Sequence, residues 1–335
     1  MRAWDDMTGF ARDALGLPES VPVELSALQG RGSDRAYFRI RWHETDSAIL
    51  VHYDPKRVEN GYYAAIAEFL RDMEIPVPRL IRHDPKECLV LMQDLGDKDL
   101  WSYRGADWNA RRRFYEKTLA IAVRLQSVRE DTFPRERVRL MEAFGPDLYR
   151  WERDYFKEHF VKGFCRIELQ PSFEDQLESE LSSLGLRLSA GPPSLVHRDF
   201  QSQNVMICDG RLFLIDFQGM RFGNPFYDLG SLLCDPYVTF SDEERDELLS
   251  FYYGLSPQGF DWPAFQRYFW DASVQRLMQA LGAYGFLGLK KGLPAFLEHI
   301  PSALGVLEKA SSHLASLPLL RELLVRCRAL LGERG

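Results

Sequence analysis

The stretch that most constrains this chain runs from Leu195 to Phe217, reading Leu-Val-His-Arg-Asp-Phe-Gln-Ser-Gln-Asn-Val-Met-Ile-Cys-Asp-Gly-Arg-Leu-Phe-Leu-Ile-Asp-Phe. Val205 to Cys208 and Leu212 to Ile215 are apolar runs on either side of Asp209-Gly210, a dipeptide that strongly favours a two-residue hairpin turn. A hairpin returns the chain to its starting point. Asn204, before the first strand, and Asp216, after the second, are therefore predicted to lie together. Asp199 stands in the loop that feeds the hairpin, so it is led to the same place.

Two carboxylates and an amide at that spacing suit phosphoryl transfer. One carboxylate orients the attacking hydroxyl and accepts its proton, while an amide and a second carboxylate hold Mg²⁺ on the phosphates. Mg²⁺ favours such hard oxygen ligands. His197-Arg198-Asp199 followed by Asn204 fits the pattern His-Arg-Asp-x-x-x-x-Asn, and Asp216-Phe217-Gln218 stands after the hairpin where protein kinases carry Asp-Phe-Gly. Asp199 is thus the candidate catalytic base, and Asn204 and Asp216 the candidate metal ligands. His197 reads as a group that fixes the loop, with a direct catalytic role as the alternative. Asp228, in Tyr227-Asp228-Leu229-Gly230, reads either as a helix cap or as an anchor for the loop.

Composition narrows the class without naming the chemistry. With 45% apolar and 27% charged residues, the 335-residue chain reads as globular, long enough for about two units. A net charge of −7 argues against a nucleic-acid partner. Cys88, Cys165, Cys208, Cys234 and Cys327 are dispersed, with no Cys-x-x-Cys pair, which suits a reducing compartment. No run approaches the about 18 uncharged apolar residues of a membrane span, and the acidic start lacks a signal-peptide core. The expectation is a cytoplasmic protein with no membrane or nucleic-acid partner.

Along the chain, Arg35 to Arg41, Ala48 to Tyr53 and Leu89 to Met92 read as strands. Tyr62 to Met73 reads as a helix stopped by Pro76 and Pro78. From Trp108, behind the potential cap Asp107, the pattern turns helical: Phe114 to Leu125, Trp151 to Phe160, Phe173 to Leu184, Phe265 to Leu281 and Leu320 to Leu330. Strands are expected again only around residues 194–217. The predicted boundary is near residue 96.

At these residues the chain resembles the aminoglycoside phosphotransferase-like branch of the protein-kinase fold, over about residues 28–300. Gly30 to Arg39, Leu91-Met92-Gln93-Asp94-Leu95-Gly96, His197 to Phe200 and Ile215 to Gln218 most resemble the bacterial anomeric kinases of N-acetylmuramate and N-acetylglucosamine, which phosphorylate the C1 hydroxyl in cell-wall sugar recycling. The resemblance implies an α+β, bilobal, protein-kinase-like fold. Residues 1–96 would be a small β-rich N-lobe with the nucleotide-binding sheet and hinge. Residues 97–335 would be a larger helical C-lobe with the catalytic loop and substrate pocket. ATP and Mg²⁺ are the implied cofactors, and a small hydroxyl-bearing molecule, an amino sugar, the implied partner.

By the same resemblance, Gly30, Gly32, Ser33, Asp34 and Arg35 belong to the loop covering the nucleotide phosphates, and Gln93, Asp94 and Leu95 to the hinge that meets the adenine. One departure stands out. Kinases place a Lys on the third strand to hold the phosphates, and Ala48-Ile49-Leu50-Val51-His52-Tyr53 has none. His52 and the following Lys56 are candidates for the role, with Glu59 or Glu68 as acidic partner. On the acceptor side, Glu152 and Tyr155 are expected contacts, with Gln201 and Gln203 reaching sugar hydroxyls; an exposed polar loop is the alternative for the glutamines. Trp262, Trp270 and Tyr284 read either as sugar-stacking aromatics or as core. The alternatives kept in view are an aminoglycoside- or choline-type kinase and a catalytically weak nucleotide-binding regulator.

Overall fold

The strands with uninterrupted apolar runs occupy the middle of a sheet, where both faces are covered. Five strands, β1 (Glu24–Leu28), β2 (Ala36–Arg41), β3 (Ser47–His52), β4 (Leu80–Asp84) and β5 (Leu89–Gln93), form an antiparallel sheet of order β1-β2-β3-β5-β4. In β3, Ala48 and Leu50 point to one face and Ile49 and Val51 to the other. On the first face they join Met7 and Ala11 of helix α1 (Trp4–Leu15), with Ile40, Leu89 and Leu91. On the second they join Val90, Met92 and, from helix α2 (Tyr63–Asp72), Tyr63. Burying each such side chain contributes about 1.5–3 kcal/mol. This computed structural model describes residues 4–28, 35–255 and 259–332.

The chain divides into two compact units. The sheet unit contains the chain up to Asp99 together with Pro134–Met141 and Val205–Gly219; the helical unit contains Leu100–Phe133, Glu142–Asn204 and the chain from Met220. This differs from a single division at residue 96. The hairpin of β7 (Val205–Cys208) and β8 (Arg211–Leu214) had been expected in the helical part. Backbone bonds join it to the sheet unit instead, Leu214 N–H donating to Pro76 C=O and Ile207 N–H to Lys98 C=O, each at 2.8 Å.

The helical unit is built from α3 (Trp108–Gln126), α4 (Pro146–Tyr155), α5 (Pro171–Ser189), α6 (Phe226–Leu233), α7 (Asp242–Leu255), α8 (Trp262–Leu289), α9 (Ile300–Ser312) and α10 (Pro318–Gly332). Asp107 caps α3 as expected, accepting from Asn109 N–H at 2.9 Å. A short pair, β6 (Ser194–Val196) with β9 (Arg221–Gly223), sets Arg221 opposite Val196. The helix expected over Trp151 to Phe160 changes character at Phe156, continuing as π-helix to Phe164. There α8 approaches to backbone contact: a Cβ on Gly285 would stand 2.3 Å from His159 O. Gly230 does the same for α6, where a Cβ would meet Ser273 Cα of α8 at 2.8 Å.

Ion pairs tie α4 and the π-helix that continues it to α5. Glu178 accepts from Arg153 Nη2 and Lys157 Nζ, both at 2.9 Å. Burial pushes its carboxyl up, but the Lys157 and Arg153 cations outweigh burial and hold it at about 2, against an ordinary 4.5. A depressed acid contributes stability that is complete above the ordinary value and lost as pH falls through the folded one. Melting temperature is therefore expected to drop between pH 4.5 and about 2, and Glu178→Gln to make that slope shallower. A variant with the wild-type slope would assign acid sensitivity to other carboxylates.

Among the described residues no helix is long and apolar enough to cross a membrane.

Candidate active site

In the helical unit the site is a loop fastened at both ends. It leaves β6 at Val196, and Arg198 adopts φ +79°, a conformation that costs a non-glycine residue energy and persists only where surroundings impose it. Asp228, fully buried in the first turn of α6, imposes it. Its Oδ2 accepts from His197 N–H at 2.7 Å and its Oδ1 from Arg198 N–H at 2.9 Å. Of the two readings of Asp228, the anchor is the one the bonds support. At the other end Asp235 Oδ2 accepts from Ser202 N–H (2.8 Å) and Ser202 Oγ–H (2.5 Å), and both residues are buried. Between these fixings, Asn204 Nδ2 donates to Asp199 C=O at 2.9 Å. That bond turns Asn204 Oδ1, a hard oxygen, to the opposite side of its amide.

The Asp199 side chain keeps 30% of its surface exposed, against 1% for buried His197. Arg198 Nη1 lies 3.5 Å from Asp199 Oδ2, and Arg276 Nη2 of α8 lies 3.5 Å from Asp199 Oδ1. Burial pushes the carboxyl up, but Arg198, Arg276, His197 and Arg221 outweigh burial and hold it below its usual range. The group is therefore ionised at neutral pH. Arg221 is buried with its Cζ 5.2 Å from the Phe144 ring centroid. Burial, then the like charge of Arg198, brings it down to about 10. Behind the loop, Glu152 is fully buried, accepting from Tyr227 Oη–H at 2.8 Å and Gln275 Nε2–H at 3.0 Å. Burial raises its carboxyl against the pull of these donors and of Arg198 and Arg276.

The other expected acceptor contacts are spread out. Tyr155 stacks on the half-exposed Trp151 with centroids 4.9 Å apart at 15°. Gln201 and Gln203 are half-buried on the loop, Gln201 C=O accepting from Asn204 N–H at 2.9 Å. Trp270 is buried and stacked on His313 at 4.1 Å, Trp262 stacks on Phe265 at 5.3 Å, and Tyr284 is buried beside Tyr237. Sequence reasoning missed Arg276 and Asp235. Arg276 carried a signal, a lone charge within the otherwise uncharged stretch Ala272 to Leu281.

In the sheet unit, the hairpin turns at Asp209 (φ +49°) and Gly210 (φ +70°), as a primed two-residue turn requires. Val205 pairs with Leu214; Asn204 is bonded to the first of these, and Asp216 lies two residues past the second. Asp216 has φ +62°. Its Oδ1 accepts from Arg35 Nη2 at 2.6 Å and Gln218 Nε2 at 2.8 Å. The next residue, Phe217, is buried and stacks on Tyr63 of α2 at 4.7 Å and 20°. Gly30, Gly32, Ser33 and Asp34 lie outside the described residues.

At the expected hinge, the Asp94 carboxylate accepts from Arg39 Nε and Nη2 at 2.6 and 3.1 Å, from Ser47 Oγ–H at 2.8 Å and from Gly96 N–H at 2.9 Å. Burial pushes its carboxyl up, but Arg39 and Ser47 bring it below the ordinary value. Gln93 N–H donates to Arg79 C=O at 2.9 Å, and Leu95 is buried. His52 is half-buried at the end of β3, opposite Ala36 and Leu89. Lys56 follows in a turn where its N–H donates to Asp54 Oδ1, and Glu68 is exposed on α2.

Asn204 Oδ1 in the helical unit and the Asp216 carboxylate in the sheet unit are each hard oxygen donors of the kind Mg²⁺ prefers.

Residues 24–268 match the family described as phosphotransferase enzyme family. An N-acetylmuramate/N-acetylglucosamine kinase of Neisseria meningitidis is 28% identical over 301 residues, 87% of this chain and 86% of its own. A kinase of the same name from Pseudomonas aeruginosa is 25% identical over 320 residues, covering 93% and 90%. Among solved structures, a choline/ethanolamine kinase family protein from Mesorhizobium loti superposes with TM-score 0.62 at 17% identity, covering 96% of this chain and 99% of that one. An ADP-bound aminoglycoside phosphotransferase superposes with TM-score 0.60 at 14% identity, covering 93% and 99%. The fold is that of the protein-kinase-like phosphotransferases.

Proposed function

From the premise that this chain belongs to the phosphotransferase enzyme family and is an ATP-dependent small-molecule kinase, we propose that its acceptor is the anomeric hydroxyl of an N-acetylated amino sugar. The names of relatives spanning most of both chains support the acceptor class. The observation that carries the chemistry is Asp199, ionised and partly open, on a loop clamped by Asp228 and Asp235.

In this reading Asp199 accepts a hydrogen bond from the acceptor hydroxyl, aims its oxygen at the γ-phosphorus and receives its proton as the new P–O bond forms and the bond from the γ-phosphorus to the departing ADP breaks. A weakly basic carboxylate suffices, because catalysis of phosphoryl transfer rests chiefly on positioning and electrostatics. Mg²⁺, when bound, neutralises charge on the phosphate oxygens, and Asn204 and Asp216 are the residues suited to hold it. Glu152, already bonded to Tyr227 and Gln275, supports the loop from below. In this reading Tyr155, Gln201 and Gln203 remain the residues expected to meet the acceptor.

Charge separates this reading from its rivals. Arg198, Arg221 and Arg276 stand around Asp199, a setting that repels a polycationic aminoglycoside or a choline and welcomes an acceptor with a carboxylate. Coupled ADP release with Mg²⁺-ATP tests it. N-acetylmuramate and N-acetylglucosamine are expected to turn over, and 1-O-methyl-N-acetylglucosamine to stay silent. Turnover with kanamycin or choline alone would overturn the sugar assignment. Silence with every acceptor, with nucleotide still bound, would favour a regulator.

A further inference from the structure

β3 reads Ser-Ala-Ile-Leu-Val-His and so lacks the lysine that grips nucleotide phosphates in kinases. A replacement must be cationic at every working pH, stand beside the metal-binding carboxylate and have its own acidic counterpart. Histidine as a residue type changes charge between about pH 5 and 8, which sets His52 aside. Lys56 sits in the turn beyond the strand, exposed. Arg35 satisfies all three conditions. It adjoins Ala36, whose register partner is His52, so it leaves the sheet at the end of β3 where the lysine would stand. Its side chain is 14% exposed, and its Nη2 donates to Asp216 Oδ1 at 2.6 Å. Glu59, in the short 3-10 helix Val58–Tyr62 leading into α2, is ion-paired with Arg57 Nη1 at 3.7 Å and adds a weaker electrostatic pull on Arg35.

We propose that Arg35 replaces the strand lysine, gripping the phosphates of the bound nucleotide beside Asp216, with Glu59 as its acidic counterpart. The assignment rests on the nucleotide reading above. Kinases pair the strand lysine with a helix glutamate and leave the carboxylate after the hairpin to hold Mg²⁺; Arg35 stands beside that carboxylate, with Glu59 on the helix side, so a cation is supplied at the same place. Here it is reached from the first residue of β2's approach instead of from β3. Arginine also suits the place for its own reasons. Its planar fork of five N–H donors can hold a carboxylate on one edge and phosphate oxygens on another, where lysine offers a single point charge.

Calorimetric titration with Mg²⁺-ATP, Mg²⁺-ADP and adenosine tests this without relying on turnover. Arg35→Met is expected to weaken ATP and ADP binding about 10- to 100-fold, the scale of a charge-assisted hydrogen bond. Adenosine, which has no phosphates, is expected to bind the variant as it binds the wild type, and so reports that the unit is folded. Arg35→Lys is expected to recover part of the loss. If Arg35→Met bound ATP and ADP like wild type, or if Lys56→Met showed the loss instead, the assignment would be overturned with the kinase reading intact. Equal loss of adenosine and ATP would overturn it too, since the residue would then be holding the unit together. A wild type that bound no nucleotide would bring down the kinase reading itself.

Discussion

Asp199→Asn is expected to lower turnover about 10²- to 10⁴-fold, the range associated with a positioned acid or base. The amide keeps the shape and can still accept a hydrogen bond, but it cannot take the proton. Because the Asp199 side chain is 30% exposed and its two guanidinium neighbours stand at 3.5 Å, the fold should survive. Melting temperature and ADP affinity are expected to stay near wild type while ADP release with the acceptor collapses. Full activity in this variant would move the base elsewhere.

The second large effect is expected at Asp228. Burial raises its carboxyl to about 7, against the backbone N–H groups of His197 and Arg198 and the charge of Arg276 that favour the ionised form. Above that pH the carboxylate accepts both N–H groups. Below it a proton occupies one of the acceptor positions, and the strained Arg198 backbone loses part of its hold. Activity is therefore expected to decline as pH falls through about 7. Asp228→Asn imitates the protonated form, because its NH₂ meets one of the two N–H donors. Turnover should fall about 10²-fold, the scale of a misplacement near 1 Å, and the limb near pH 7 should vanish. Stability should drop by about 1–3 kcal/mol for the orphaned donor. A wild-type pH profile flat to well below 7 would show that the two N–H groups, and not burial, set the state of Asp228.

Much of this was legible in the residues themselves. Asp209-Gly210 between two apolar runs specified the hairpin, because its turn needs positive φ at both central positions and few dipeptides supply it. The interval from Asp199 to Asn204 stated the local chemistry, since one tight loop carries both residues. The central strands announced themselves through unbroken apolar runs. The edge strands β1 and β4 and the helix α1 did not, because one-sided burial leaves a weak alternation that looks like loop.

Other features depend on which distant residues the fold brings together. Nothing near Arg276 in the chain marks it as a neighbour of Asp199, 77 residues away. Asp228 could have capped its own helix, and only the packing of α6 on α8 through Gly230 puts it beneath His197 and Arg198. Glu152, expected as an acceptor contact, is instead a fully buried partner of Tyr227. The sequence by itself determined the candidate reacting groups and the hairpin between two of them, because the Asp209-Gly210 turn is local geometry. The tertiary structure alone decided their charge environment. Burial and Coulomb interaction depend on distance through space, and residues remote in the chain, Arg35 beside Asp216 and Arg276 beside Asp199, set them here.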